Sequence, residues 1–385
     1  DYANGNKTTI TTYTSGNAIK VELYNDSSSN PVVRTTDPYP NGDIETLTTY
    51  SSVHAKRVTE YTTGITITIV LNVDSNNNLT TQTTTVDASS NTTIVYEYTD
   101  ANGYAVKETT HPSTVFEKFI TYGVGNTRKE TTDVNGDLTI VVISTHGVTG
   151  AVTTTTTEPN GDVTIVVEST DNDGNSIVKT TYPSGEIITI TTYLSGNTLT
   201  VTEAVSGITT SVLVETDGTT TTTTVQSNGD TTIVEVGNDS NGDPYVKTTN
   251  VAGVVETVTT YSVGNTRTVT VEVNGDTTTV VVSTDGNGFV TTTTTAPNGG
   301  ITIVANSQDN DGNAVLTTTY PSGTVDIKTT YSEGNSYTTS TNSSGDVTTI
   351  NEVTNESGVK TTTTTAPNGD ITTAVQTLDS SNNIV

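Results

Sequence analysis

Two pairs of closely spaced aspartates are the residues of this sequence best suited to bind an ion. Asp171 and Asp173 form one pair, and Asp309 and Asp311 form the other in a nearly identical five-residue segment. Carboxylate and carbonyl oxygens at this spacing are the donors that Ca²⁺ prefers, so the segments predict weak calcium sites. Aspartate and asparagine also favour turns by bonding to their own backbone, and that interpretation needs no ion.

The residue types that most enzymes and metal sites use are scarce. The chain has no cysteine, which excludes disulfides, thiolate zinc sites and thiol nucleophiles. Its three histidines, His54, His111 and His146, share no ligand spacing, and each falls at or near a turn signal. No Gly-x-Ser-x-Gly motif stands between a strand and a helix. We therefore expect no enzymatic activity and, calcium aside, no cofactor.

Two features could carry glycans. Seven asparagines occupy Asn-x-Ser/Thr acceptor patterns, at Asn6, Asn25, Asn78, Asn91, Asn238, Asn342 and Asn355. Threonine runs such as 153–157 and 219–224 allow three interpretations: β-propensity on a half-wet sheet, O-linked glycan attachment, or a regular ice-binding face. The sequence leaves all three open.

Internal repetition organises the whole chain. From Gly174 onward, glycines recur every 11 residues with an occasional interval of 13. A longer period of about 70 residues separates the acidic clusters that begin at Asp100, Asp171, Asp239, Asp309 and Asp379. The predicted segments are a partial repeat at 1–29, a degenerate repeat at 30–99, repeats at 100–170, 171–238, 239–308 and 309–378, and the start of another at 379–385.

The residues between the glycines predict strands. Segment 266–273 alternates valine with threonine or glutamate, which is typical of a half-buried strand. Asn-Gly pairs predict type I′ hairpin turns, and Pro-Ser-Gly predicts longer loops with a left-handed glycine. No segment has helical periodicity. The fold prediction is an all-β antiparallel meander of about six strands per 70-residue unit, rolled or superhelical, with essentially no helix.

The turn motifs also resemble a known family. Asp-x-x-Gly-Asn alternates with Tyr-x-x-Gly-Asn, for example at Asp171 and Tyr193. This alternation resembles the YD/RHS-type repeats, whose strands form long β-meanders that spiral into shells or fibres. Tyrosine and aspartate stand here in different turns. The resemblance implies a meander architecture.

Charge and termini suggest where the chain acts. The formal charge of −28 argues against nucleic acid and anionic lipid as partners, and no apolar run is long enough to span a membrane. A chain that begins at Asp1 and has no methionine suggests a processed, exported protein. In the repeat, Val385 aligns with Val315 and Asp1 with Thr319, so one chain's end nearly continues into another's beginning.

These observations predict an extracellular or cell-surface structural protein, a subunit of a β-rich fibre or appendage that binds copies of itself head to tail. The alternative is a binding module, such as an adhesin stalk or a threonine-ladder ice-binding protein.

Overall fold

A computed structural model describes residues 7–12, 18–25, 27, 31–51, 54–261, 264–331 and 334–376. The sequon at Asn6 and the segment 379–385 lie outside these ranges. The chain forms two compact units, residues 1–193 and 194–385.

The first unit contains sixteen described strands. They are β1 (Lys7–Thr12), β2 (Ala18–Asn25), β3 (Pro31–Pro38), β4 (Ile44–Ser51), β5 (His54–Glu60), β6 (Thr66–Val73), β7 (Leu79–Val86), β8 (Thr92–Thr99), β9 (Ala105–Thr110), β10 (Phe116–Thr121), β11 (Thr127–Thr132), β12 (Leu138–Thr145), β13 (Val152–Thr157), β14 (Val163–Thr170), β15 (Ser176–Thr181) and β16 (Ile187–Thr192).

The second unit also contains sixteen. They are β17 (Thr198–Glu203), β18 (Thr209–Val214), β19 (Thr220–Val225), β20 (Thr231–Asn238), β21 (Pro244–Thr249), β22 (Val255–Thr260), β23 (Thr266–Val271), β24 (Thr277–Thr284), β25 (Val290–Thr295), β26 (Ile301–Gln308), β27 (Ala314–Thr319), β28 (Val325–Thr330), β29 (Ser336–Thr341), β30 (Val347–Thr354), β31 (Lys360–Thr365) and β32 (Ile371–Gln376).

Each unit is an antiparallel meander, as the sequence predicts. Within a unit every described strand pairs with the strand that precedes it and the strand that follows it; β13, for example, places Thr155 opposite Val142 of β12 and Ile165 of β14. Six strands lie in each of the segments 30–99, 100–170, 171–238, 239–308 and 309–378. Helical structure in the described residues is confined to single 3₁₀ turns such as Gly123–Gly125. The expected all-β class is confirmed.

Most hairpins share one five-residue turn. In the turn 182–186, the Tyr182 N–H donates to the Glu186 carbonyl at 2.9 Å and the Gly185 N–H donates to the Tyr182 carbonyl at 2.9 Å. Gly185 has a φ of 89°, the left-handed conformation that glycine adopts without steric strain. This is a three-residue loop closed by a left-handed glycine, the geometry predicted for Pro-Ser-Gly.

The type I′ prediction for the Asn-Gly turns is wrong. A type I′ turn needs a positive φ at both central residues, yet the only described non-glycine residues with positive φ are Asn77, Ser90 and Thr114. The asparagine before each described turn glycine therefore has a negative φ. One left-handed residue is enough because the extra loop residue turns the chain without splaying the strands.

Three turns of the first unit place a residue other than glycine at the left-handed position. These residues are Asn77, Ser90 and Thr114, each with a φ of 67°. Each donates its N–H to the first residue of its turn, as the glycines do elsewhere. The glycine spacing alone does not predict these turns, because they have no glycine at this position. The hydrogen bonds of the hairpin hold the same turn shape with another residue there.

Among the described residues, neither unit has a second layer on its sheet. Within a unit, each strand contacts chiefly its neighbours along the chain. Val32 and Val106 are the only described apolar residues that are fully buried, and side chains such as Leu47 and Ile190 stay about 40% exposed. Cross-strand side-chain pairs are therefore the main packing interaction.

Candidate functional site

The charges of the chain are divided between strands and turns. All 14 lysine and arginine residues lie on strands, together with 14 of the 42 acidic residues, so the strands carry no net charge. The other 28 acidic residues lie off the strands and account for the whole charge of −28. Of these, 24 stand in described turns, and the other four are outside the described residues. The edges of each sheet formed by the turns are therefore strongly anionic.

The strand charges largely pair with one another across the sheet. The Lys247 ammonium lies 3.4 Å from Glu235, and Lys360 lies 2.7 Å from Glu352. Both pairs are partly exposed, and such pairs contribute about 0–1 kcal/mol each to stability. These pairs bring opposite charges of neighbouring strands together.

Turns of a first kind have an aspartate at their first position. In the turn 171–175, one Asp171 oxygen accepts the backbone N–H groups of Asp173 and Asn175 at 2.9 Å each. The other oxygen accepts the Asn175 side-chain amide at 2.9 Å. These bonds stabilise the charged carboxylate, and the largest contribution, from the Asn175 side chain, lowers the pKa of Asp171.

The predicted calcium residues lie in turns of this kind. Asp309 has the same partners as Asp171, because Asp311 and Asn313 donate their N–H groups to it at 2.9 Å. Backbone donors thus already occupy Asp171 and Asp309, which supports the turn-forming interpretation of these aspartates. In the described ranges no group of three or more acidic or histidine side chains is arranged to hold a metal ion. Calcium binding stays a prediction for Asp171, Asp173, Asp309 and Asp311.

Turns of a second kind use an asparagine at the third position. In the turn 158–162, the Asn160 amide donates to the Asp162 carboxylate at 2.7 Å, and the Asp162 N–H donates back to the Asn160 oxygen at 3.0 Å. The same pairing occurs in four further turns, at Asn41, Asn228, Asn274 and Asn368. This reciprocal pair explains why aspartate so often follows Asn-Gly.

Turns of a third kind are the Tyr-x-x-Gly-Asn motifs. The Asn126 side-chain oxygen accepts the backbone N–H of Thr145, 19 residues ahead, at 2.7 Å. Equivalent bonds join Asn197 to Thr216, Asn265 to Thr284 and Asn335 to Thr354, at distances from 2.7 to 3.1 Å. The bond links the turn to the next turn on the same edge of the sheet. Sequence reasoning noted the motif but missed this role.

The glycan acceptors differ in how free their amides are. Asn78, Asn91 and Asn342 each donate the side-chain amide to an aspartate of their own turn. Asn25, Asn238 and Asn355 are exposed, and within the described ranges their amide nitrogens have no hydrogen-bond acceptor. Glycosylation remains a prediction at all of these positions.

The threonine runs form strands whose neighbours are rich in valine and isoleucine. Thr155 lies opposite Val142 and Ile165, and Thr154 lies opposite Ile143 and Val166 on the other face. Threonine thus alternates with apolar side chains across both faces. This arrangement favours β-propensity as the reason for the threonine content.

The three histidines lie on separate hairpins. His54 begins β5, whereas His111 and His146 lie in turns. The His111 ring is 3.3 Å from Glu117, and the His146 ring is 3.0 Å from the Thr149 hydroxyl. The structure brings none of them into a shared catalytic arrangement in the part of the chain it describes.

Comparisons with known proteins leave the chain without a family: no family and no curated protein matches its sequence. The described residues also include no helix that is long and apolar enough to cross a lipid bilayer.

Proposed function

We propose that this chain is a structural subunit of an extracellular β-rich fibre or appendage that assembles head to tail. The supporting observation is the locality of its side-chain contacts. The polar contacts between side chains join near neighbours in the meander; even Lys328 and Glu352 are only 24 positions apart. A catalytic site usually gathers residues from distant parts of a chain, whereas a repeat array needs only neighbour contacts.

The final described strand supports assembly by strand addition. β32 pairs with β31, and its six residues are all exposed. Among the described residues no strand pairs with the other side of β32, and β32 has none of the lysine, proline or bulge that commonly protect natural edge strands. Its outer backbone groups are therefore suited to pair with a strand of another copy.

The distribution of charge fits the same role. Strands without net charge and anionic turns keep the unit soluble while leaving strand edges such as β32 uncharged. Because a contact between the two ends of such an array is heterologous, it produces an open filament unless the rotation closes a ring.

A single proline tests this proposal. In the hairpin of β31 and β32, the residue pair next to the turn is hydrogen-bonded: the Ala366 N–H donates to the Asp370 carbonyl. Along antiparallel strands, hydrogen-bonded pairs alternate with pairs whose N–H groups point outward. The Thr373 N–H therefore points away from β31. Thr373→Pro should remove an outward donor without breaking a bond to β31, and proline is tolerated at such positions.

Thr373→Ala is the matched control, because it keeps the outward N–H. We expect light scattering and electron microscopy to show filaments for the parent chain and for Thr373→Ala, and shortened or absent filaments for Thr373→Pro. Filaments of equal length in all three proteins would count against assembly through the β32 edge.

Two accessory roles belong to the same proposal. Glycans on the exposed acceptors Asn25, Asn238 and Asn355 would be detected as added mass on the native protein. Calcium at Asp173 and Asp311 would be detected by calorimetric titration, and its binding should disappear in the Asp173→Asn/Asp311→Asn double variant.

A further inference from the structure

The asparagines of the Asn-Gly turns differ in how their side chains are held. Ten Asn-Gly pairs lie in described turns. In five of them, the asparagine amide donates to the carboxylate of the aspartate two positions ahead, at 2.7 or 2.8 Å: Asn41, Asn160, Asn228, Asn274 and Asn368. In these five, the side-chain oxygen also accepts the N–H of the same aspartate.

A second group has no such restraint. In the part of the chain that the structure describes, the side chains of Asn102 and Asn241 make no hydrogen bond. Asn135 and Asn287 instead bond to the aspartate at the start of their own turn. The turns of Asn102 and Asn241 each begin with an aspartate, Asp100 or Asp239. Its carboxylate accepts the N–H of the fifth turn residue, which the asparagine oxygen accepts in the five turns above.

One pair of turns isolates this difference. Residues 227–230 and 240–243 have the same sequence, Ser-Asn-Gly-Asp, and differ in the residue before it, Gln226 or Asp239. The Asn228 amide is 2.8 Å from the Asp230 carboxylate. In the other turn the Asp243 N–H donates instead to Asp239, at 3.0 Å, and the Asn241 side chain is left unbonded.

We infer that Asn102 and Asn241 are sites of spontaneous deamidation, and that Asp239 creates the site at Asn241 by accepting the Asp243 N–H. In this reaction the backbone nitrogen of the following glycine attacks the side-chain carbonyl carbon and forms a C–N bond. The bond to the amide nitrogen breaks, and that nitrogen leaves as ammonia with the glycine N–H proton. Water then opens the cyclic imide to aspartate or isoaspartate.

The attacking nitrogen does not distinguish the two turns. The Gly229 N–H donates to the Gln226 carbonyl and the Gly242 N–H donates to the Asp239 carbonyl, both at 2.9 Å. A Cβ placed on either glycine would meet no atom within 4 Å, so both turns are equally open. The carboxamide is what differs: Asn228 must break two hydrogen bonds, one of them to a charged group, before it can rotate toward the glycine nitrogen.

The product would change the edge of the sheet. Each event replaces a neutral amide by a carboxylate in a turn that is already acidic. Where isoaspartate forms, the main chain gains one methylene inside a hairpin loop. Deamidation would therefore accumulate charge and distortion at two defined turns of the array while sparing the five restrained ones.

Peptide mapping by mass spectrometry tests this inference on the full chain. The protein is incubated at mildly alkaline pH and physiological temperature, and the mass gain of about one unit is assigned to each asparagine by fragmentation. We expect Asn241 to deamidate roughly tenfold faster than Asn228, the factor that corresponds to one hydrogen bond to a charged group. In concentrated urea the two rates should become equal, because the tetrapeptides are identical.

Two reciprocal variants complete the test. Asp239→Gln gives turn 239–243 the sequence of turn 226–230, and it should protect Asn241. Gln226→Asp does the reverse and should expose Asn228. Both turn sequences already occur in the chain, so both variants are expected to fold. Equal rates at Asn228 and Asn241 in the folded parent, or variants that leave those rates unchanged, would overturn the inference.

Discussion

At the scale of the residue, the turn glycines show how backbone conformation and packing combine. Gly196 has a φ of 94°, and a Cβ at this position would lie 2.9 Å from the Cγ2 atom of Thr216. Gly218 has a similar φ of 90°, but a Cβ there would meet no atom within 4 Å. The two positions therefore separate conformational strain from steric contact.

This comparison gives a stability prediction. Gly218→Ala should lower the free energy of unfolding by about 1 kcal/mol through left-handed strain alone. Gly196→Ala should lower it by about 1 kcal/mol more, because the new methyl group displaces Thr216. Denaturant titrations of the two variants provide the measurement. Equal destabilisation would show that the contact with Thr216 has no energetic consequence.

Tyr245 provides a residue-scale pH prediction. Its hydroxyl donates to the Glu235 carboxylate at 2.5 Å, and this bond is the largest of the effects that raise the pKa of Tyr245 to about 12. An unfolded tyrosine ionises near pH 10. The contribution to stability is thus fully present below about pH 10 and is lost as pH rises toward about 12.

The prediction is checked by following phenolate absorbance during an alkaline titration. Glu235→Gln removes the negative charge, so it should return the pKa of Tyr245 toward its ordinary value. Tyr245→Phe identifies the signal. A Tyr245 that titrates near pH 10 in the parent protein would contradict the account of this pair.

At the scale of the element, the described asparagines of the Tyr-x-x-Gly-Asn turns bond to the next turn on the same edge of the sheet. This bond links two hairpins that are not adjacent along the chain. The Asn265 oxygen accepts the Thr284 N–H at 2.7 Å, which connects the ends of two turns on the same edge. Asn265→Ala should destabilise this region by about 1 kcal/mol. Hydrogen exchange should speed up at Thr284 and in the adjoining strands β23 to β25, and not in distant strands.

Asn241→Ala is the control, because the Asn241 side chain makes no hydrogen bond within the described residues. It should leave exchange at Thr284 unchanged. Faster exchange throughout the unit after Asn265→Ala would show that the hairpins do not behave as nearest-neighbour repeats.

Most of the element pattern could be predicted from sequence, because hairpins are local. The alternation of apolar and polar residues identifies strands, and a turn residue every 11 positions identifies antiparallel pairing between neighbours. Local signals also explain the aspartate turns at Asp171 and Asp309. The type I′ prediction is wrong because one left-handed residue is enough in the longer loop. The turns at Asn77, Ser90 and Thr114 could not be found from glycine spacing, because they contain no glycine at the left-handed position.

The links between turns could not be predicted in the same way. Asn126 and Thr145 are 19 positions apart, and no local pattern relates them. They meet only once the register of the intervening strands is fixed. The only signal in the sequence is the asparagine that follows glycine in each Tyr-x-x-Gly-Asn motif. Its partner is a backbone N–H group, which every residue except proline has, so the sequence does not indicate where the partner lies.

At the scale of the whole molecule, the net charge is carried by the turns and not by the strands. The strands are neutral, and 24 acidic residues lie in the described turns. Repulsion between turns of neighbouring filaments would keep them apart and would weaken as salt screens the charges. We therefore propose that the acidity limits lateral association while strand pairing extends the array.

The central proposal is that copies of this chain join by continuing their antiparallel sheets. Electron cryomicroscopy of the intact protein at high concentration is the most direct measurement. We predict filaments in which the strand spacing of about 4.8 Å continues across every junction between subunits. Monodisperse monomers under the same conditions, or filaments whose junctions contain no paired strands, would contradict the proposal.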